Sequence, residues 1–90
     1  MYKIWKYPVT FGSHFELAMP MGARILKLDI QFNDPQIWVM VEPGMEIEVR
    51  QFIIMGTGQP FPKSNQLEYI DSYQVNGGQY VWHVFEHKEK

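Results

Sequence analysis

Apolar and polar residues alternate with a period of two along this chain, and turn residues interrupt the alternation about every 8 to 12 positions. The cleanest instance runs from Arg24, where Leu26, Leu28, Ile30 and Phe32 fall on one face and Lys27, Asp29 and Gln31 on the other, with Ile25 as the exception. Side chains of an extended strand point alternately to its two faces, so this stretch reads as a strand with one wet face. No stretch carries the 3.6-residue apolar period of an amphipathic helix. The expected fold class is therefore all-β: a small antiparallel sandwich or barrel of about six to seven short strands, because the turns are too short for parallel crossovers.

Taken in order, Tyr2 to Thr10 reads as an edge strand, since Pro8 removes a ladder donor. His14 to Met19 places Phe15, Leu17 and Met19 on one side. Asn33-Asp34-Pro35 is expected to turn the chain into Gln36 to Val41, where Trp38 and Met40 make the second face apolar too, as in a central or covered strand. From Met45 to Met55 the apolar phase slips, because Phe52 and Ile54 share the parity of Glu48 and not of Val49, which predicts a β-bulge near Arg50. Asn76-Gly77 predicts a two-residue type I′ hairpin that sets Val75 opposite Gly78, Tyr73 opposite Tyr80, and Asp71 opposite Trp82. The last strand spans Gln79 to Glu86, and residues 87–90 are expected to fray. Residues 1–90 form one domain.

Composition narrows the function classes. A chain of 90 residues buries only roughly 60 to 65 per cent of its unfolded surface, so self-association into a dimer or tetramer is expected to add stability. Hydrophobic residues at 46% and aromatic residues at 16% suffice for a packed core. Without cysteine there is no disulfide, thiolate metal site or thiol nucleophile, which fits the cytoplasm. A net charge of -2 offers no field for duplex nucleic acid. No apolar run is long enough to span a membrane and no leader is visible, so neither a membrane nor secretion is expected.

The stretch that looks built for something beyond packing is Arg50 to Pro62. Gly56 and Gly58 let another group approach the backbone, Thr57 and Gln59 add a hydroxyl and an amide, and Pro60 and Pro62 stiffen the loop. The loop is either a nest of main-chain donors for an anion or a strand-ending turn. Arg50 either contacts a phosphate or pairs with Glu48 or Glu46. Trp5, Tyr7 and Trp82 are the rings best suited to stack on bases, with core or interface packing as the alternative. Catalytic chemistry has little to stand on: Asp71 and His83 fall on opposite faces of their hairpin, and His14, His83 and His87 lack metal-ligand spacing. No catalytic residue, no metal and no cofactor is expected. The candidate ligand-binding set is Arg50, Gly56, Thr57, Gly58, Gln59, Trp5, Tyr7 and Trp82.

A resemblance adds to this. The succession Ile4-Trp5-Lys6-Tyr7, Met19-Pro20-Met21-Gly22-Ala23, Trp38 with Val41 and Pro43, Gly56-Thr57-Gly58-Gln59-Pro60, and Val81-Trp82-His83-Val84-Phe85-Glu86 resembles a widespread family of small proteins from bacteriophages and bacteria. The chain is also similar to the anti-CBASS sponge proteins of phages, oligomeric binders that sequester cyclic dinucleotides such as 3′,3′-cGAMP without cleaving them. That similarity implies a viral protein of the host cytoplasm, used in immune evasion, with Arg50 and the glycine loop on phosphate or base edges and Trp5, Tyr7 or Trp82 on bases. Two other readings of such a protein are a module that blocks a host protein and a virion accessory subunit.

Overall fold

β-branched and aromatic residues at alternate positions prefer a pleated, half-buried surface, and the segments so patterned pair into seven strands. The computed structural model describes residues 1–10, 12–61 and 66–88. The strands are β1 (Lys3–Pro8), β2 (His14–Pro20), β3 (Arg24–Gln31), β4 (Asp34–Val41), β5 (Ile47–Gly56), β6 (Leu67–Val75) and β7 (Tyr80–His87). Every pairing is antiparallel, in a three-stranded sheet ordered β1-β4-β3 and a four-stranded sheet ordered β2-β5-β7-β6. Among the described residues there is no α-helix, only a 3₁₀ turn at Asn76–Gly78.

The inner faces of the two sheets supply the core. Phe15, Leu17 and Met19 of β2, Leu28 of β3, Ile37, Val39 and Val41 of β4, Phe52 and Ile54 of β5, and Val84 of β7 are all buried. Phe15 and Phe52 are partners across β2 and β5, and their rings stack with centroids 5.0 Å apart. Such a ring pair contributes about 0.5–1.5 kcal/mol beyond its buried area. β4 is central in its sheet, as its two apolar faces predict, and β1 is an edge. On the other flank, β3 and β6 end their respective sheets and lie against each other, forming a seam between the sheets.

Four expectations need correction. β5 carries no bulge at Arg50: its register with β2 runs unbroken from Pro20↔Ile47 to His14↔Ile53. The apolar phase does not slip because Ile47 and Val49 simply stay on the outer face, 60% and 57% exposed. The register shifts fall instead between Ile25 and Lys27 in β3 and between Tyr69 and Asp71 in β6. The first explains the Ile25 exception, since Leu26 is the inserted residue and Ile25 joins Leu28 in facing the core.

The turn expected at Asn33-Asp34-Pro35 is made by Phe32 and Asn33, both at positive φ (52° and 68°), with Asp34 already opposite Gln31. The hairpin after β6 also closes differently. Asn76, Gly77 and Gly78 all take positive φ (53°, 65° and 95°), and the Gln79 N–H donates to the Asn76 carbonyl. Two extra residues enter the loop, so Val75 faces Tyr80 and Tyr73 faces Trp82. Finally, the chain end is held through Lys88. His87 pairs in β7, and the Lys88 N–H donates to the Gln66 carbonyl at 2.6 Å. Pro62, the rest of 62–65, and 89–90 lie outside the described residues.

Candidate functional site

The register of the last hairpin decides what stands at one end of the sandwich. Trp82 lies between Gly56 of β5 and Tyr73 of β6 and shares the inner face with the buried Val84. Gly56 gives the ring a close seat, because a Cβ would sit 3.0 Å from Trp82 Cζ3. Tyr80 continues the row outward, its ring 6.4 Å from that of Trp82. Trp82 and Tyr73 line an open cleft of about 840 Å³ between the ends of the two sheets. Burial pushes the Tyr73 phenol above its usual pKa, so it stays a neutral hydroxyl.

The rim of this cleft is polar and almost uncharged. Thr10, Ser13, Asn33, Gln59, Gln74 and Asn76 bring hydroxyls and amides to it, and Asp34 is the charged side chain among its described lining residues. A concave site with an apolar floor and a few convergent polar groups is the usual form of a small-molecule pocket. Its volume also lies in the ordinary range of roughly 300–1,000 Å³.

The glycine loop reaches the cleft through Gln59 and is not a donor nest. The Gly56 N–H donates to Gln59 Oε1 at 2.7 Å, the Thr57 N–H to the Val81 carbonyl, and the Gln59 N–H back to the Gly56 carbonyl. These N–H groups are consumed inside the protein. Thr57 turns to the outer face, where its Oγ1 lies 2.7 Å from His83 Nε2. The loop's contribution is Gln59 at the rim, a seat for Trp82 at Gly56, and a turn at Gly58, whose φ of 90° suits glycine.

Arg50 stands elsewhere. At about 3.3 Å per residue, roughly 20 Å of β5 separate it from Gly56. Its inward-facing guanidinium pairs with neither Glu46 nor Glu48 but with Glu86 of β7. Nε donates to Oε2 at 2.6 Å, Nη2 to Oε1 at 2.7 Å, and Nη1 to the Ala23 carbonyl at 2.6 Å. Glu86 is only 3% exposed. Burial pushes its carboxyl upward, but the hydrogen bonds and charge of Arg50, aided by Lys88, outweigh that and hold it below the usual glutamate range. Hydrogen bonding to Glu86 in turn raises Arg50 against the opposing effect of its burial.

The eight residues singled out in the sequence therefore do not converge. Gln59 and Trp82 line the cleft, Gly56 seats Trp82 without lining it, Gly58 lies outside the lining, Thr57 faces outward, and Arg50 borders a separate cavity on the β3–β6 seam. Trp5 and Tyr7 lie on β1 opposite Val39 and Ile37, and neither lines either cavity. Tyr7 packs against the core, and burial raises its phenol pKa. Sequence reasoning missed Tyr73, Asn33, Gln74 and Asn76. The signal that would have found them was Gly78: a second glycine after Asn76-Gly77 permits the longer loop that brings Tyr73 opposite Trp82. Asp71 and His83 do lie on different faces, opposite Val84 and Ser72 respectively. Among the described residues, no group of three or more metal-ligating side chains converges, and no helix is long and apolar enough to cross a membrane.

The chain belongs to a family described as a domain of unknown function, DUF7352, whose model matches residues 1–90. Neither a curated protein nor a solved structure matches it.

Proposed function

We propose that this protein is a non-catalytic binder that takes up a small ring-bearing ligand, a nucleobase or nucleotide, at Trp82 and Tyr73 and releases it unchanged. The observation that carries the reading is the register Tyr73↔Trp82, which sets two aromatic side chains side by side in a cleft rimmed by amides and hydroxyls. Amides present donors and acceptors together, the pattern that base edges match, and base–aromatic stacking contributes about 1–3 kcal/mol per base. Sequestration of a cyclic dinucleotide in an anti-defence role is the most specific form of this proposal. In that form the bases supply the recognition, because the described lining holds neither lysine nor arginine for the phosphates.

Self-association belongs to the same proposal. Ile47, Val49 and Tyr69 are exposed at 60%, 57% and 53% on the outer face of the four-stranded sheet, and a second copy would cover them.

The same absence of cations favours a second reading, a neutral sugar whose ring lies on Trp82. Thermal unfolding against nucleosides, nucleotides including 3′,3′-cGAMP, and monosaccharides and oligosaccharides separates the two. A ligand at 100 times its dissociation constant stabilises the fold by about 2.7 kcal/mol, and Trp82→Ala should remove most of that shift. Stabilisation by sugars alone transfers the cleft to the second reading. No shift with any base-bearing compound sinks the first.

A further inference from the structure

Both register shifts among the described residues border one place. The residues inserted at them, Leu26 of β3 and Ile70 of β6, are walls of a cavity of about 380 Å³ on the β3–β6 seam, at the end away from Trp82. Bulges re-aim side chains and concentrate beside functional sites. Here they open the backbone where the chain's cations gather. Arg24, Lys27, Arg50 and Lys88 line the cavity, half of the 8 lysines and arginines in a chain of net charge -2.

The carboxylates nearby do not absorb all of this charge. Glu86 is committed to Arg50, and Lys88 spans Glu68 at 3.2 Å and Glu86 at 3.3 Å. Lys27 pairs with Asp29 at 3.2 Å on the exposed surface. The Arg24 side chain has no hydrogen bond or ion pair among the described residues. Arg50 spends three N–H groups on Glu86 and Ala23, and a guanidinium carries about five, so donors remain on an arginine that borders the cavity.

We propose that this seam cavity binds a phosphoryl group, with Arg24 and Arg50 as the planar hydrogen-bonding ligands and Lys27 and Lys88 as flanking point charges. Paired guanidinium forks suit a tetrahedral oxyanion, whereas ammonium groups add attraction without fixing its orientation. Glu86 holds Arg50 in place for this role, so the ion pair is the floor of the site and not a competitor for it. The site is independent of the ring cleft, which lies at the opposite end of β3 and β6 and shares no lining residue with it.

Calorimetric titration of the whole chain with inorganic phosphate, AMP and adenosine at low ionic strength tests it. Phosphate and AMP should bind and adenosine should not bind at the seam. Arg24→Gln should weaken phosphate binding by about tenfold, the effect of one lost hydrogen bond to a charged group, and Lys27→Gln, which removes only a flanking charge, should weaken it less. Trp82→Ala should leave phosphate binding unchanged, which separates this site from the cleft. In the Trp82→Ala chain, where the ring cleft is disabled, equal affinities for phosphate and AMP assign the site to the free anion, and tighter AMP assigns it to a nucleotide's phosphoryl group. Absence of phosphate binding at millimolar concentrations overturns the proposal. So does an equal loss in Lys3→Gln, whose lysine lies on β1 and lines neither cavity, because that would reveal diffuse attraction only.

Discussion

The two ends of the β3–β6 seam are built from the same pair of strands and have opposite chemistry. At the bulged end, Arg50 and Glu86 join β5 to β7 beneath a cavity where cations collect. At the other end β6 and β7 run in regular register to their loop, and the inner face offers Tyr73 and Trp82 under a rim of neutral amides. An interrupted ladder leaves room for charged groups and their hydrogen bonds, whereas an intact ladder stacks side chains in rows. Forces that act through charge should therefore disturb the first end and spare the second, and steric changes beneath Trp82 should do the reverse.

The largest effect expected is from the ion pair. Arg50→Met strands the Glu86 carboxylate at 3% exposure, and Glu86→Leu strands the guanidinium. Each should cost up to about 3–5 kcal/mol, the usual penalty for an uncompensated buried charge, with Arg50→Met at the lower end because Lys88 Nζ still lies 3.3 Å from Glu86 Oε1. The double variant Arg50→Met/Glu86→Leu should be more stable than either single one, because the desolvation of both charges disappears together. Urea unfolding of the four proteins closes the cycle. Additive losses would mean that the pair is solvated and that the charged end is no different from ordinary surface.

Next comes Gly56→Ala, which works from the neutral end. The new methyl group would lie 3.0 Å from Trp82 Cζ3 and 3.3 Å from Gln59 Cδ, so both must give way. Overpacking of this kind costs about 1–3 kcal/mol. The lower part of that range is expected here, since the half-buried indole can move toward the open cleft. Near-UV circular dichroism should report the displaced ring, while phosphate binding at the seam stays as it was. An unchanged spectrum with full stability would show that Trp82 does not rest on Gly56, and the contrast between the two ends would lose its steric half.

The strands were legible in the sequence to a greater degree than either cavity. Period-two alternation is a local property, and it located β2 and β4 within a residue or two because each buries one set of alternate side chains. The cavities depend on relations between strands. Arg50 was visible as the odd cation in an apolar strand, but its partner Glu86 lies far along the chain and became its neighbour only through the β5–β7 register. Exposed Ile47 and Val49 imitated a bulge, since a strand that is apolar on its outer face gives the same pattern as one whose phase has slipped. Tyr73 was assigned to the wrong cross-strand partner by two positions because Gly78 joined the loop. Local turn chemistry fixes a register only when the number of residues in the turn is known.

The smallest expected effect, and the most selective, is that of pH. Glu86 ionises below its ordinary value in the folded protein, so the folded state holds its proton less tightly than the unfolded chain does. The stability this contributes is complete above the unfolded value of about 4.3 and is lost as pH falls through the lower, folded one. Acidification should consequently begin to remove the contribution of the pair only as pH falls below the ordinary glutamate range. Asp29 is likewise held below its ordinary value, first by the Ile30 N–H and then by Lys27, and adds the same sign of dependence. It is present in every variant, so it cancels when the double variant Arg50→Met/Glu86→Leu is compared with the parent. The difference between their urea midpoints should therefore change as pH falls through the acid range, with the parent losing more. If the two proteins lose stability in parallel, Glu86 is not the group that couples the fold to protons, and the bulged end is set apart by its shape and not by its charge.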